Sequence, residues 1–126
     1  MRRLRGFTLI ELLMVVVIIG ILVAVLIPRF ANSREKAFVT AMKSDLRNLA
    51  TAEESYYYDY ASYAPSVAQL PVFNPTAGVT VVINAASVGG WSGTATTTSS
   101  TRQCFLFVGN ASPVGVATQE GQVACD

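Results

Sequence analysis

Gly6-Phe7-Thr8-Leu9-Ile10-Glu11-Leu12-Leu13 opens an apolar run that continues to Ile27 with a single charged residue inside it. A membrane-spanning helix needs about 20 mostly apolar residues, and Phe7 to Ile27 supplies that length. A secretory signal peptide has a shorter apolar centre followed by a small-residue cleavage site, whereas this run ends at Pro28-Arg29-Phe30. The run therefore predicts a membrane helix, with no cleavage indicated on its far side.

The charges on either side of the run predict its orientation. Arg2, Arg3 and Arg5 precede it, which favours a cytoplasmic N-terminus and places the rest of the chain across the membrane. The basic residues that follow the run, beginning with Arg29 and Arg34, weaken this bias without reversing it.

Glu11 is the one acid within the apolar run. A carboxylate inside a bilayer is costly, so such residues usually have a partner. In one interpretation Glu11 reaches back to the headgroups and is favoured by the helix dipole. In the other, cleavage between Gly6 and Phe7 creates an amino group one helical turn before Glu11, which can pair with it within a chain or between chains staggered by about a turn. The second interpretation makes Glu11 an assembly signal.

The stretch from Gly6 to Leu13 resembles the class III signal of type IV pilins and of the related type II secretion pseudopilins, and its short leader is like that of type IVa members. The resemblance implies that a prepilin peptidase cuts after Gly6 and methylates the new N-terminus, Phe7, while Glu11 guides subunit registration. It also implies a single-pass subunit of the inner membrane that an assembly platform there polymerises into a homopolymeric helical filament on the cell surface.

After Pro28 the sequence pattern becomes amphipathic, which predicts one continued helix to about Tyr58. Its apolar face recurs at three- and four-residue steps: Phe38, Met42, Leu46, Leu49, Ala52 and Tyr56. We expect the charged residues of its other face to be solvated: Arg34, Lys36, Lys43, Asp45, Arg47, Glu54 and Asp59. An exposed apolar stripe needs a packing partner, which the later residues must supply.

Three later stretches predict strands: Val79 to Asn84, Gly90 to Thr97 and Arg102 to Val108, with a weaker fourth around Gln122 to Cys125. A proline-containing loop over residues 61–78, with one helical turn at 66–70, precedes them. Their spacing predicts an antiparallel meander laid against the helix, and the resemblance implies the α+β type IV pilin fold. The threonines of this region suit a half-exposed sheet, with glycosylation as the weaker alternative.

We expect three segments: a cytoplasmic leader, residues 1–6, that is removed; a membrane and filament-core segment, residues 7–28; and a globular head, residues 29–126. Gly20 and Pro28 weaken the helix, because proline in a helix interior costs about 3 kcal/mol and glycine about 1 kcal/mol. We expect a kink or local melt near residues 24–28, because Pro28 has no amide hydrogen to bond the Ala24 carbonyl. The resemblance to type IV pilins also implies a loss of helicity in the filament between Gly20 and Pro28. The alternative is that a membrane helix merely tolerates both residues.

Cys104 and Cys125 are the two cysteines of the chain, and both follow the membrane segment. In an oxidising periplasm a disulfide is favoured over two free thiols, and closing that loop would stabilise the domain by about 3 kcal/mol. Two thiols without histidine make half a zinc site, and the loop holds only Glu120 as an acid, so we predict no metal and no cofactor. The pair is similar to the C-terminal disulfide of many type IV pilins. Secretion pseudopilins commonly lack these cysteines and bind calcium here.

The composition argues against catalysis and against binding of specific nucleic acid. Without residues 1–6 the side chains comprise six basic and eight acidic groups, whereas nucleic-acid-binding domains are usually clearly basic. The chain has no histidine, the commonest general base, and no assembled nucleophile, base or metal set. The five tyrosines between Tyr56 and Tyr63 could stack on single strands, but we interpret some as covering the helix–sheet core and others as solvated.

Three hypotheses remain. The chain is a major pilin, or a pseudopilin or minor pilin of a secretion or DNA-uptake system, or a membrane-tethered binding domain that never polymerises. Glu11 argues against the third, because a simple anchor has no use for a carboxylate at that depth. We take the major pilin as the main prediction.

Overall fold

The computed structural model of the chain describes residues 6–126, so the predicted leader with Arg2, Arg3 and Arg5 lies outside the described residues except for Gly6. One long helix, α1, spans Leu9–Tyr60, and a short 3-10 helix spans Val67–Gln69. Four strands follow: β1 Val79–Ala86, β2 Gly90–Thr97, β3 Gln103–Gly109 and β4 Ala124–Cys125. This is the predicted α+β architecture, and the expected helical turn at 66–70 is confirmed.

Helix α1 runs for 52 residues without interruption, through both Gly20 and Pro28. No loss of helicity is present between them in this single chain, so a helix break there stays a prediction for the assembled filament. The helix ends two residues beyond the predicted Tyr58. Ala61 terminates it with a positive φ of 53°, while its N–H still bonds the Tyr57 carbonyl at 2.8 Å.

Two compact units divide the chain between Arg34 and Glu35. In the first, every residue from Gly6 to Arg34 is exposed. Since most of them are apolar on all sides of the helix, this unit has no core of its own. A helix that is apolar all round requires lipid or other helices around it.

The second unit contains a sheet of four antiparallel strands in the order β1-β2-β3-β4, which confirms the predicted meander. In β1 burial alternates along the strand, with Val79, Val81 and Ile83 turned inward, as expected for a sheet with one covered face. Two glycines permit the close contact where β2 begins and β3 ends. A Cβ atom on Gly90 or Gly109 would collide with the backbone opposite it.

The core of the second unit lies between α1 and the sheet. The helix contributes Met42, Leu46, Leu49 and Ala52, four of the six predicted apolar-face residues, while Phe38 and Tyr56 are half-buried. The sheet contributes residues from three strands to the same cluster: Val79, Val81, Ile83, Trp91, Ala95, Cys104 and Leu106. A smaller cluster of Phe105, Phe107 and Ala117 is formed by β3 and the segment that follows it.

Asp45 is a correction to the sequence analysis, which placed it on the solvated face of α1. The side chain is only 2% exposed. Its carboxylate accepts hydrogen bonds from the Thr76 N–H at 2.8 Å and the Thr76 hydroxyl at 2.9 Å. These bonds replace the water that a charged group otherwise requires, and they fix the helix to the loop that enters β1.

Candidate processing and assembly segment

Thr8 begins helix α1 as its N-cap residue. The Leu12 N–H bonds the Thr8 carbonyl at 3.3 Å, and Gly6, Phe7 and Thr8 lie outside the helix. The Glu11 N–H donates to the Thr8 hydroxyl at 3.3 Å, which satisfies one of the donors that every helix start leaves open.

Glu11 returns this contact and completes a capping box. Its Oε2 accepts hydrogen bonds from the Thr8 N–H at 2.8 Å and from the Thr8 hydroxyl at 2.7 Å. Its Oε1 accepts none within the described part of the chain. A favourable helix dipole at Glu11 was expected from the sequence, but the role of Thr8 was not predicted. The Thr-x-x-Glu spacing directly before an apolar run is the signal that would have found it.

The peptide bond between Gly6 and Phe7 lies just before this cap. Both residues are exposed, Phe7 at 87%, and neither belongs to a helix or strand. A Cβ atom on Gly6 would meet nothing within 4 Å. The fold of this chain therefore places no steric demand for glycine at position 6.

The structure brings Glu11 together with Thr8 and gives no contact between Glu11 and Phe7. The predicted pairing of Glu11 with a new amino group at Phe7 therefore stays a prediction for the cleaved chain. Oε1 is the carboxylate oxygen that remains available for it.

Beyond the cap, α1 presents an apolar surface long enough to cross a bilayer. Its most apolar window of 18 residues has a mean hydropathy of 3.2, and none of that window is buried. Gly20 lies within this surface, and a Cβ atom there would also meet nothing within 4 Å. Packing within the chain therefore does not require glycine at this position, and the backbone of the exposed helix is not covered by a side chain there.

Cys104 and Cys125 form a disulfide, as predicted, with Cα atoms 4.1 Å apart and 21 positions apart in sequence. They lie directly opposite each other where β3 pairs with β4. Cys104 belongs to the core next to α1, so the bridge attaches the end of the chain to a buried strand.

Glu53 is a second buried acid, and its burial was not predicted from the sequence. It is fully buried; Oε2 accepts the Ala64 N–H at 2.8 Å and Oε1 has no partner in the described residues. Burial raises the pKa of the Glu53 carboxyl, while the hydrogen bond from Ala64 acts in the opposite direction and the charge of Glu54 adds to the rise.

The tyrosine cluster at the end of α1 behaves as expected. Tyr56 stacks on Tyr60 with ring centroids 4.4 Å apart, and Tyr57 lies 4.8 Å from Tyr63. Tyr56 and Tyr63 pack against the core, whereas Tyr58 and Tyr60 are exposed.

Among residues 6–126 no group of three or more His, Cys, Asp or Glu is placed to hold a metal ion.

Comparisons with known proteins agree with the geometry at the N-terminus. Residues 1–27 match the family described as the prokaryotic N-terminal methylation motif. The chain is 43% identical over 68 residues to the type II secretion system core protein G of Pseudomonas aeruginosa, covering 54% of this chain and 47% of that protein. It is 44% identical over 70 residues to the type IV wide pilus major component PilA4 of Thermus thermophilus, covering 56% and 53%.

A third relative is the type IV major pilin protein PilA of Myxococcus xanthus, 40% identical over 70 residues, which cover 53% of this chain and 32% of that protein. The match thus spans about half, or less, of the length of these relatives. The similarity to type IV pilins and to a secretion pseudopilin is nevertheless clear, and the long helix with an antiparallel sheet is consistent with the pilin fold.

Proposed function

We propose that this chain is the major pilin of a type IV pilus, a structural subunit and not an enzyme. In this proposal it enters the inner membrane as a precursor with a cytoplasmic N-terminus. A prepilin peptidase removes residues 1–6 and methylates Phe7. An assembly platform then moves the subunit into a helical filament at the cell surface, where the apolar half of α1 forms part of the core.

One observation carries the proposal: an exposed Gly6–Phe7 bond lies immediately before a capped helix whose apolar residues from Leu9 to Phe30 are all exposed. An accessible, non-helical bond suits a peptidase. A fully exposed apolar helix suits first the bilayer and then a bundle of like helices, because both cover it on all sides. Oε1 of Glu11, which accepts no hydrogen bond within residues 6–126, can accept one from the amino group of a neighbouring copy.

A second candidate, a pseudopilin of a type II secretion system, is favoured by the similarity to protein G of Pseudomonas aeruginosa. The disulfide between Cys104 and Cys125 favours the pilin, since it closes the C-terminal loop as in many type IV pilins. Location separates the two candidates, because a pilin accumulates in surface filaments and a pseudopilin stays with the cell envelope.

The test is mass analysis of filaments sheared from cells that carry a type IV pilus assembly system. A major pilin gives abundant material that begins at methylated Phe7 and is two hydrogens lighter than the reduced chain.

Gly6→Leu should leave an uncut precursor in the membrane, and Glu11→Ala should be inserted and cut but assemble poorly. Glu120→Ala, an acid of the head, serves as the matched control. Processed wild-type chain found only in the cell envelope would replace the pilin with the pseudopilin.

A further inference from the structure

Asp59 differs from every other carboxylate of the described chain. Each of the others accepts a hydrogen bond from its own chain: Glu11, Glu35, Asp45, Glu53, Glu54, Glu120 and Asp126. Asp59 accepts none within residues 6–126, and it is exposed. It also lies in the last turn of α1, which contains no basic residue. A negative charge is unfavourable there, because the C-terminal end of a helix is itself negative.

A basic cleft lies at the opposite end of the amphipathic part of α1. Lys36, Lys43 and Arg102 line this cleft of about 420 Å³, together with Glu35, Val39 and Thr40. Glu35 is held by the Ser100 hydroxyl at 3.4 Å. The three cationic side chains donate no hydrogen bond to any other described residue. With three cations against the single acid Glu35, the cleft has a net positive charge, and none of these cations has a hydrogen-bonded partner within residues 6–126.

We propose that Asp59 of one copy binds in the basic cleft of a second copy. This inference rests on the proposed filament function and names a contact that would set the stagger of its subunits. Asp59 follows Lys43 by 16 residues and Lys36 by 23. At about 1.5 Å per residue the contacting copies are offset by about 24 to 35 Å along the helix. The same distance prevents Asp59 from reaching the cleft of its own chain.

The contact joins two different surfaces of the same molecule, so it is heterologous. In a row of copies joined by a heterologous contact, the copy at one end has an unbound Asp59 and the copy at the other end has an empty cleft. Further copies can therefore be added at both ends, which gives an open filament unless the rotation between neighbouring copies closes a ring. The contact also removes an unfavourable interaction within the single chain. A cation beside Asp59 neutralises the negative charge that lies next to the negative C-terminal end of α1.

Charge reversal with rescue tests the contact in cells that assemble the wild-type chain. Asp59→Lys and Lys43→Asp should each lower the yield of sheared filaments by about tenfold, equivalent to about 1.4 kcal/mol. The double variant should restore the yield to within about twofold. Arg47→Asp, an exposed cation one turn beyond Lys43 and outside the cleft, is the matched control and should assemble normally.

Folding and assembly can be separated in these variants. Asp59→Lys removes an unfavourable charge from the helix end, so the melting temperature of its head should not fall. A zero-length carbodiimide treatment of wild-type filaments should join Asp59 to Lys43 or Lys36, which peptide mass analysis identifies. Folded single variants that assemble normally, or a double variant that stays defective, would overturn the proposal.

Two further results have distinct meanings. Cleft variants that lose binding to vesicles containing phosphatidylglycerol, with no Asp59 cross-link in wild-type filaments, would assign the cleft to lipid headgroups and overturn the contact between copies. If the wild-type chain formed no filament at all, the proposed function itself would fail, and this contact would fail with it.

Discussion

Asp45→Ala should strongly destabilise the head, because this carboxylate fixes helix α1 to the loop before the sheet. Asp45 is buried, and its two hydrogen bonds from Thr76 measure 2.8 and 2.9 Å. Bonds to a charged acceptor each contribute about 1.5 to 3 kcal/mol. Thr76 is exposed, so water can satisfy its donors once the carboxylate is gone. We therefore expect each of the two bonds to contribute the lower value, so that Asp45→Ala lowers the free energy of unfolding by about 3 kcal/mol.

Thr76→Val separates the two bonds. It keeps the shape of the side chain and the backbone N–H, and it removes only the bond between the hydroxyl and Oδ1. Its expected cost is at least about 1.5 kcal/mol, because the change also leaves the buried Oδ1 of Asp45 without a donor. In the double variant the two losses should not add, because both remove the hydroxyl bond.

The assay is denaturant unfolding of the full chain in detergent, followed by the fluorescence of Trp91. This residue is the single tryptophan of the chain and is fully buried in the head core, so its signal reports unfolding of the head. A loss of about 3 kcal/mol should also lower the melting temperature by at least about 12 °C. Asp59→Ala, an exposed acid on the same helix, is the control and should stay within about 0.5 kcal/mol of wild type. An Asp45→Ala variant no less stable than that control would refute the assigned role of Asp45.

Two further predictions concern the head. The pKa of Glu53 is raised in the folded state, so its stabilising contribution is complete below the ordinary pKa of 4.5 and is lost as the pH rises through the folded value. Glu53→Gln should therefore flatten the fall in unfolding free energy as the pH rises above 4.5, and an identical pH slope in both proteins would contradict the assignment. Reducing the bridge between Cys104 and Cys125 should lower the unfolding free energy by about 3 kcal/mol, and unchanged unfolding under reductant would show that the bridge does not stabilise the head.

The sequence predicted the elements of the head well, because their signals are periodic and local. The three- and four-residue spacing from Met42 to Ala52 located the buried face of α1, and β2 was placed over the residues that form it, Gly90–Thr97. The pairing of Cys104 with Cys125 followed from there being two cysteines and an oxidising compartment.

The buried acids could not be predicted in this way. A charged residue on a helix usually faces solvent, and only a specific partner reverses that preference. The partner of Asp45 lies 31 residues away in sequence, and that of Glu53 lies 11 residues away. Both belong to the irregular segment between α1 and the sheet, whose course no periodic pattern specifies. Asp45 was therefore placed in solvent, and Glu53 was not noticed.

The capping box changes how the two interpretations of Glu11 relate to each other. They were alternatives in the sequence, one local to the helix start and the other between chains. In the structure, Oε2 alone receives both hydrogen bonds from Thr8. The cap holds the carboxylate in one orientation, which reduces the side-chain entropy that binding a neighbour would otherwise cost. Since the carboxylate's other oxygen accepts no bond within the described residues, the cap and the proposed pairing with an amino group of another copy do not compete. The same carboxylate can cap the helix of its own chain and set the register of the neighbouring subunit.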